Sequence, residues 1–325
     1  MIFPSFRPHP LLRGGHVQTV AGVLWPGKLP PYAAAPRRVH LEDGDAIVLH
    51  DDRPARWRPG EPSALLVHGL AGCHLSPYMV RVAAKLNAAG VRTFRLDLRD
   101  CGAGEGLARQ PYHAGKSEDV LAALREVAAL CAGSELSLAG FSLGGNMALK
   151  LLGQSHDAVP PQLRRAVAVN PAIDLAACAH AMARPLARFY DRHLVGLLWR
   201  QLQRRRQACP EAPSCDLSRV PKALVEFDEL FTARVAGFES AAHYYAECSA
   251  AQFLGGVRVP TLILTSRDDP MVPAHVFEGL SCSAAVTLHV AEGGGHLGYV
   301  GRRGADPDRR WMDWRVVQWL TRERT

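Results

Sequence analysis

No C-x-x-C pair occurs among the eight cysteines, Cys73, Cys101, Cys131, Cys178, Cys209, Cys215, Cys248 and Cys282. That spacing argues against a structural zinc site and fits reduced thiols in a cytoplasmic protein. No apolar run reaches membrane-spanning length without a charge or a proline. Pro4, Pro8 and Pro10 also break the first residues where a signal peptide needs an unbroken apolar core, so neither secretion nor membrane insertion is expected. Lysine is scarce, five residues against thirty-three arginines, in a chain of net charge +7. Such a basic excess is commonly solvated surface, and no nucleic-acid partner is expected; peripheral contact with an anionic membrane is the minor alternative.

What is present is enough apolar residue, 48% of 325, for one large α/β domain with an insertion. The chain is organised around Leu136 to Lys150, LSLAGFSLGGNMALK. A short apolar run leads through Gly140-Phe141-Ser142-Leu143-Gly144 into residues that favour a helix: strand, sharp turn, helix. At such a corner a serine can present its hydroxyl at the sheet edge only between neighbours with almost no side chain. Gly140, Gly144 and Gly145 meet that need, which makes Ser142 the candidate nucleophile. The helix that follows aims its first N–H groups at the same corner, so the backbone N–H of Leu143 is a candidate oxyanion donor.

Four segments are expected. Residues 1–36, rich in proline and glycine, read as an irregular arm packed on the core. Residues 37–171 read as the first part of an α/β core. Val39 to Leu41 and Ala46 to His50 flank Glu42-Asp43-Gly44-Asp45, which has hairpin turn chemistry. Ala64-Leu65-Leu66-Val67 reads as a strand buried on both faces. It ends at His68-Gly69-Leu70-Ala71-Gly72, where the backbone N–H of Leu70 is the candidate second oxyanion donor. Ser117 looks like an N-cap, with Glu118 and Asp119 in the first turn of its helix. Residues 172–255 lose the strand pattern while keeping aromatics, including Phe189, Tyr190, Trp199, Phe227, Phe231, Phe238, Tyr244 and Tyr245. They read as a helical lid insertion, whose Arg200, Arg204, Arg205 and Arg206 are expected to face solvent. Residues 256–325 resume the core with Val259 to Thr265 and Val286 to Val290, and close on an amphipathic helix from Trp311 to Arg324.

A serine, a carboxylate and a histidine thus each follow a strand. The serine hydroxyl is a poor nucleophile near neutrality, so His296, after Gly293-Gly294-Gly295, must accept its proton as it attacks an acyl carbon. Asp269 in Arg267-Asp268-Asp269-Pro270 is the candidate acid that holds the imidazole; Asp268 is the runner-up and reads as a turn cap. The expected function is carboxylic-ester hydrolysis on a small-molecule ester, with a triad Ser142, His296 and Asp269, no cofactor and no metal. The oligomeric state is not legible.

The chain also resembles the AB hydrolase 4 family, the YheT-type branch of the α/β hydrolases. The resemblance rests on Arg13-Gly14-Gly15-His16-Val17-Gln18-Thr19 in the arm, His68-Gly69-Leu70 with Ser76-Pro77-Tyr78, and Tyr112-His113-Ala114-Gly115. The serine corner, Phe227-Asp228-Glu229, Arg267 to Pro270 and Gly294-Gly295-His296 complete it. It implies an α/β-hydrolase fold, esters of short to medium acyl chains or lipids, no cofactor, and in some relatives acyl transfer to an alcohol. A noncatalytic binding protein on the same fold is a third reading. Two departures bear on substrate preference: Asp100 stands in Arg99-Asp100-Cys101 where glycine is common, which puts a carboxylate near the expected acyl-site rim, and Ala114 stands where serine is common. Neither His16 nor His113 has a role that the pattern explains.

Overall fold

The computed structural model describes residues 3–213 and 219–322. Its eight strands are β1 (Ala35–His40), β2 (Ala46–Asp52), β3 (Ser63–Val67), β4 (Arg92–Asp97), β5 (Leu136–Phe141), β6 (Leu163–Val169), β7 (Thr261–Ser266) and β8 (Val286–Ala291). They form one sheet in the order β1-β2-β4-β3-β5-β6-β7-β8. The pairings of β1 with β2 and β2 with β4 are antiparallel, and all later ones are parallel. The antiparallel edge follows from the expected hairpin, where Gly44 takes the left-handed conformation its turn requires.

The central strands are buried along their whole length, and successive side chains enter opposite cores. Leu65 and Val67 pack with α3 (Ser117–Leu130) and α4 (Leu143–Gln154), whereas Ala64 and Leu66 pack with α2 (Pro77–Ala88) and α10 (Trp311–Leu320). Each leucine buried this way contributes about 1.5–3 kcal/mol relative to exposure. The sheet is therefore rigid where its strand ends carry the site.

Three expectations need correction. Ser117 does not cap α3: it is the first helical residue, Lys116 precedes it, and no side-chain bond closes that end. Asp119 in the first turn is instead held by Arg99 at 2.7 and 2.8 Å. The arm is not wholly irregular, because Gly15–Leu24 is an α-helix, α1. Arg205 does not face solvent. The helical period sets it on the inner side of α6 (Arg188–Ala208) with Leu198 and Leu202, and its Nε lies 2.8 Å from the buried Asp100 carboxylate. Arg200, Arg204 and Arg206 are exposed as expected.

Between β6 and β7 the described residues contain no strand. They form α5 (Leu175–Ala183), α6, α7 (Leu224–Phe227), α8 (Ala233–Ala236) and α9 (Ala241–Cys248). Their aromatics divide: Trp199, Phe227 and Phe231 make a local core, while Phe189, Tyr190, Tyr244 and Tyr245 line a cavity against the strand ends. Helix α10 ends at Leu320; Arg324 and Cys215 lie outside the described residues. No helix among the described residues is long and apolar enough to cross a membrane.

Candidate active site

Ser142 occupies the corner between β5 and α4 with φ 52° and ψ −119°, a backbone conformation costing roughly 1–3 kcal/mol in a residue with a Cβ. The surroundings hold it there. Its N–H donates to the Val169 carbonyl at 2.9 Å, and its carbonyl accepts from Asn146 at 3.1 Å. Gly144 permits the crossing, since a Cβ at this position would overlap the backbone carbonyls of Val67 and His68. The strain turns the hydroxyl outward, and Oγ lies 2.9 Å from His296 Nε2.

His296 sits on the loop after β8, with Nδ1 2.8 Å from Asp269 Oδ2. Asp269 is fixed from two sides. Its Oδ1 accepts the N–H groups of Met271 at 2.8 Å and Val272 at 3.0 Å, and its Oδ2 accepts from Asn170 Nδ2 at 2.7 Å. Because both Asp269 oxygens act as acceptors here, Nδ1 of the imidazole is the donor to Oδ2, and Nε2 is left as the acceptor facing the serine. Asp268 acts on the backbone instead, its Oδ1 accepting the Gly295 N–H at 2.8 Å.

The arm motif also has a place in this geometry. A Cβ on Gly15 would overlap the Asp268 carbonyl, so only glycine lets α1 dock on the loop after β7. From α1, the Thr19 hydroxyl accepts the His296 N–H at 2.8 Å while donating to the Gly15 carbonyl at 2.7 Å. Gln18 exchanges bonds with the Val300 backbone at 2.7 and 3.1 Å. Helix α1 thus clamps the histidine loop from outside. Thr19, Gln18 and Asn170 support the site without belonging to the serine, carboxylate and histidine pattern. For Asn170 a signal existed: asparagine tolerates the left-handed conformation it adopts here, φ 42°, at the end of a buried strand just before a proline.

The loop after β3 is fixed by two tyrosines. Tyr78 Oη accepts the Gly69 N–H at 3.0 Å, and Tyr112 Oη accepts the Ala71 N–H at 2.8 Å. Burial pushes the Tyr78 phenol up to about 12 and raises that of Tyr112 well above its ordinary value, so both remain neutral hydroxyls. The Leu70 N–H between them has no acceptor among the described residues. The Leu143 N–H opens α4, where the first turn lacks intrahelical acceptors.

Ser142, His296, Leu70 and Leu143 all border a cavity of about 640 Å³, whose other walls come from α1, α2, α5, α6, α7, α9 and the loop after β7. Those walls are mainly apolar, with Leu175, Met182, Phe189, Leu194 and Met271 among them. Asp228 is a polar exception. It is buried, accepts the Tyr245 hydroxyl at 2.7 Å, and is pushed by burial up to about 6. Because the fold favours its neutral form, its stabilising effect is complete below the usual carboxylate range and is lost as pH rises through about 6. Asp228→Asn cannot ionise, so the variant should gain on the order of 2 kcal/mol relative to wild type between about pH 4 and pH 8. Denaturant titration at both pH values checks this, and a difference that does not change with pH contradicts it.

Asp100 does not stand at the rim of this cavity. It borders a separate space of about 50 Å³ behind Leu70 and Leu143, paired with Arg205. Ala114 is buried, its N–H donating to Tyr244 Oη at 3.0 Å. His113 has its Nδ1 3.1 Å from the Gly115 N–H; burial lowers it to about 3, so it is neutral and can accept that bond. His16 stacks on Tyr190 at a centroid distance of 5.7 Å, joining α1 to α6. His50, His74 and Asp97 bring three potential ligand atoms within 4.8 Å of one another. The two imidazoles are stacked 3.5 Å apart at 11°, and neither needs an ion to satisfy its ring nitrogen. Both bond Asp97 Oδ2 instead, at 2.9 and 2.7 Å. Burial alone would raise the Asp97 carboxyl, but the bonds from His50 and His74 hold it well below the usual range.

A family model described as the alpha/beta hydrolase fold matches residues 62–302. YheT of Escherichia coli (strain K12), provisionally named an esterase, is 32% identical over 315 residues, covering 94% of this chain and 90% of its own. Phospholipase ABHD3 of Mus musculus is 27% identical over 74% of this chain, which spans 58% of that longer protein. Among solved structures, the Pyrococcus furiosus esterase Pf2001 superposes with a TM-score of 0.57 at 14% identity, covering 90% of this chain and 96% of that one.

Proposed function

Because the chain belongs to the α/β-hydrolase family, in its YheT-type branch, and is a carboxylic-ester hydrolase, we propose that it cleaves esters of short- to medium-chain or lipid acyl groups through an acyl-Ser142 intermediate. One observation carries this reading: the hydrogen-bonded chain Asp269–His296–Ser142 opens into a largely apolar cavity of about 640 Å³. In the proposed reaction His296 Nε2 takes the hydroxyl proton as Ser142 Oγ bonds to the acyl carbon. The carbonyl oxygen becomes an oxyanion between the N–H groups of Leu70 and Leu143. Its collapse expels the alcohol oxygen, which takes the proton from His296. Water then repeats the sequence on the acyl-serine and releases the acid. Helices α5 to α9 act as the lid, with the cavity as the acyl site.

On this reading kcat/KM for p-nitrophenyl esters rises with acyl length, up to about fourfold per methylene, until the cavity is filled. A flat series from acetate to decanoate contradicts it. The apolar walls also favour a second reading, acyl transfer to an alcohol, since an alcohol competes better with water in a drier site. Added ethanol should then divert acyl groups into ethyl esters; an unchanged acid yield removes that reading.

A further inference from the structure

Exposed large apolar side chains concentrate in two segments of the chain. Nine of the thirteen among the described residues fall within residues 11–32 or 186–189. Val23 and Leu24 of α1 and Phe189 of α6 are 68%, 78% and 49% exposed, yet they line the large cavity, so they mark its mouth. Leu11, Trp25 and Leu186 extend this collar on the same two segments, which meet where His16 stacks on Tyr190.

Along the two segments that carry the collar, the exposed charge has one sign. Arg13, Lys28, Arg184, Arg188 and Arg192 are exposed and form no ion pair among the described residues, whereas Arg204 and Arg205 further along α6 do. No acidic residue precedes Glu42, and from Leu175 to Ala208 the sole one, Asp191, is buried with its carboxylate accepting the Leu224 N–H at 2.7 Å.

We propose that this collar docks the cavity mouth on an anionic lipid surface. The arginines meet the headgroups while Leu24, Trp25, Leu186 and Phe189 enter the interface, so that a lipid ester reaches the cavity without crossing water. A second copy of the chain is the poorer occupant, because two cationic collars repel face to face. Docking needs only the collar; its use in delivering substrate rests on the ester-hydrolase reading.

Co-sedimentation with vesicles of phosphatidylcholine, alone or mixed with phosphatidylglycerol, tests the proposal in Ser142→Ala protein, which spares the lipid. Binding is expected to the mixed vesicles and to weaken at high salt. The triple variant R184E/R188E/R192E should weaken it on the order of a hundredfold, while the same changes on a Ser142 background leave turnover of a soluble acetate ester unchanged. If the triple variant fails to fold, Leu11→Ser with Leu186→Ser takes its place and should weaken binding to the same vesicles. Equal affinity for both vesicle types, no binding to either, or a collar-dependent dimer in sedimentation velocity overturns docking. Loss of ester hydrolysis with vesicle binding intact would count against the function and leave docking standing.

Discussion

Ser142→Ala is expected to lower kcat/KM for a soluble ester by ~10⁴-fold or more. In the proposed reaction this variant lacks the atom that would form the acyl-enzyme, which leaves His296 with no nucleophile to deprotonate. What persists is whatever the cavity and the two N–H donors do for attack by water. The fold should be spared, because alanine removes one oxygen and makes no new contact at a corner whose backbone is held by the bonds to Val169 and Asn146. Initial rates with a thermal melt check both halves. Activity close to wild type in a folded variant contradicts the assignment.

Asp269→Asn should cost ~10³–10⁴-fold in kcat. The volume barely changes, and the reason is tautomeric. The N–H groups of Met271 and Val272 require an oxygen at the Oδ1 position. The new amide nitrogen is thereby turned toward His296 Nδ1, which must become the acceptor. The imidazole proton moves to Nε2, where it faces the serine and blocks proton uptake. That nitrogen would also oppose Asn170 Nδ2, which adds a repulsive contact. Asp268→Asn is the control. Its oxygen can still accept the Gly295 N–H, and turnover should stay within about an order of magnitude of wild type. Equal losses in the two variants, or a greater loss at Asp268, would reassign the acid.

The strands, the serine corner and the order of the three chemical residues were legible because each depends on local pattern. Apolar runs bounded by glycine read directly as buried parallel strands. The arm was not legible in the same way. Its glycine and glutamine motif has meaning only against loops 250 residues or more away, where Gly15 meets Asp268, Gln18 meets Val300 and Thr19 meets His296. Arg205 illustrates a different limit. Its neighbours in sequence are solvated arginines, and what buries it is the Asp100 carboxylate on a loop after β4. Tyr78 and Tyr112 could be quoted as motif residues, but their common task of steadying the loop on both sides of Leu70 emerges only in three dimensions.

Mass spectrometry of the intact protein and its peptides after reaction with a fluorophosphonate tests the central claim most directly, because that reagent labels serines activated by a neighbouring base. The account predicts a single adduct on Ser142, absent in His296→Ala. An unlabelled Ser142 under conditions that modify a control hydrolase, or labelling that survives loss of His296, would contradict it.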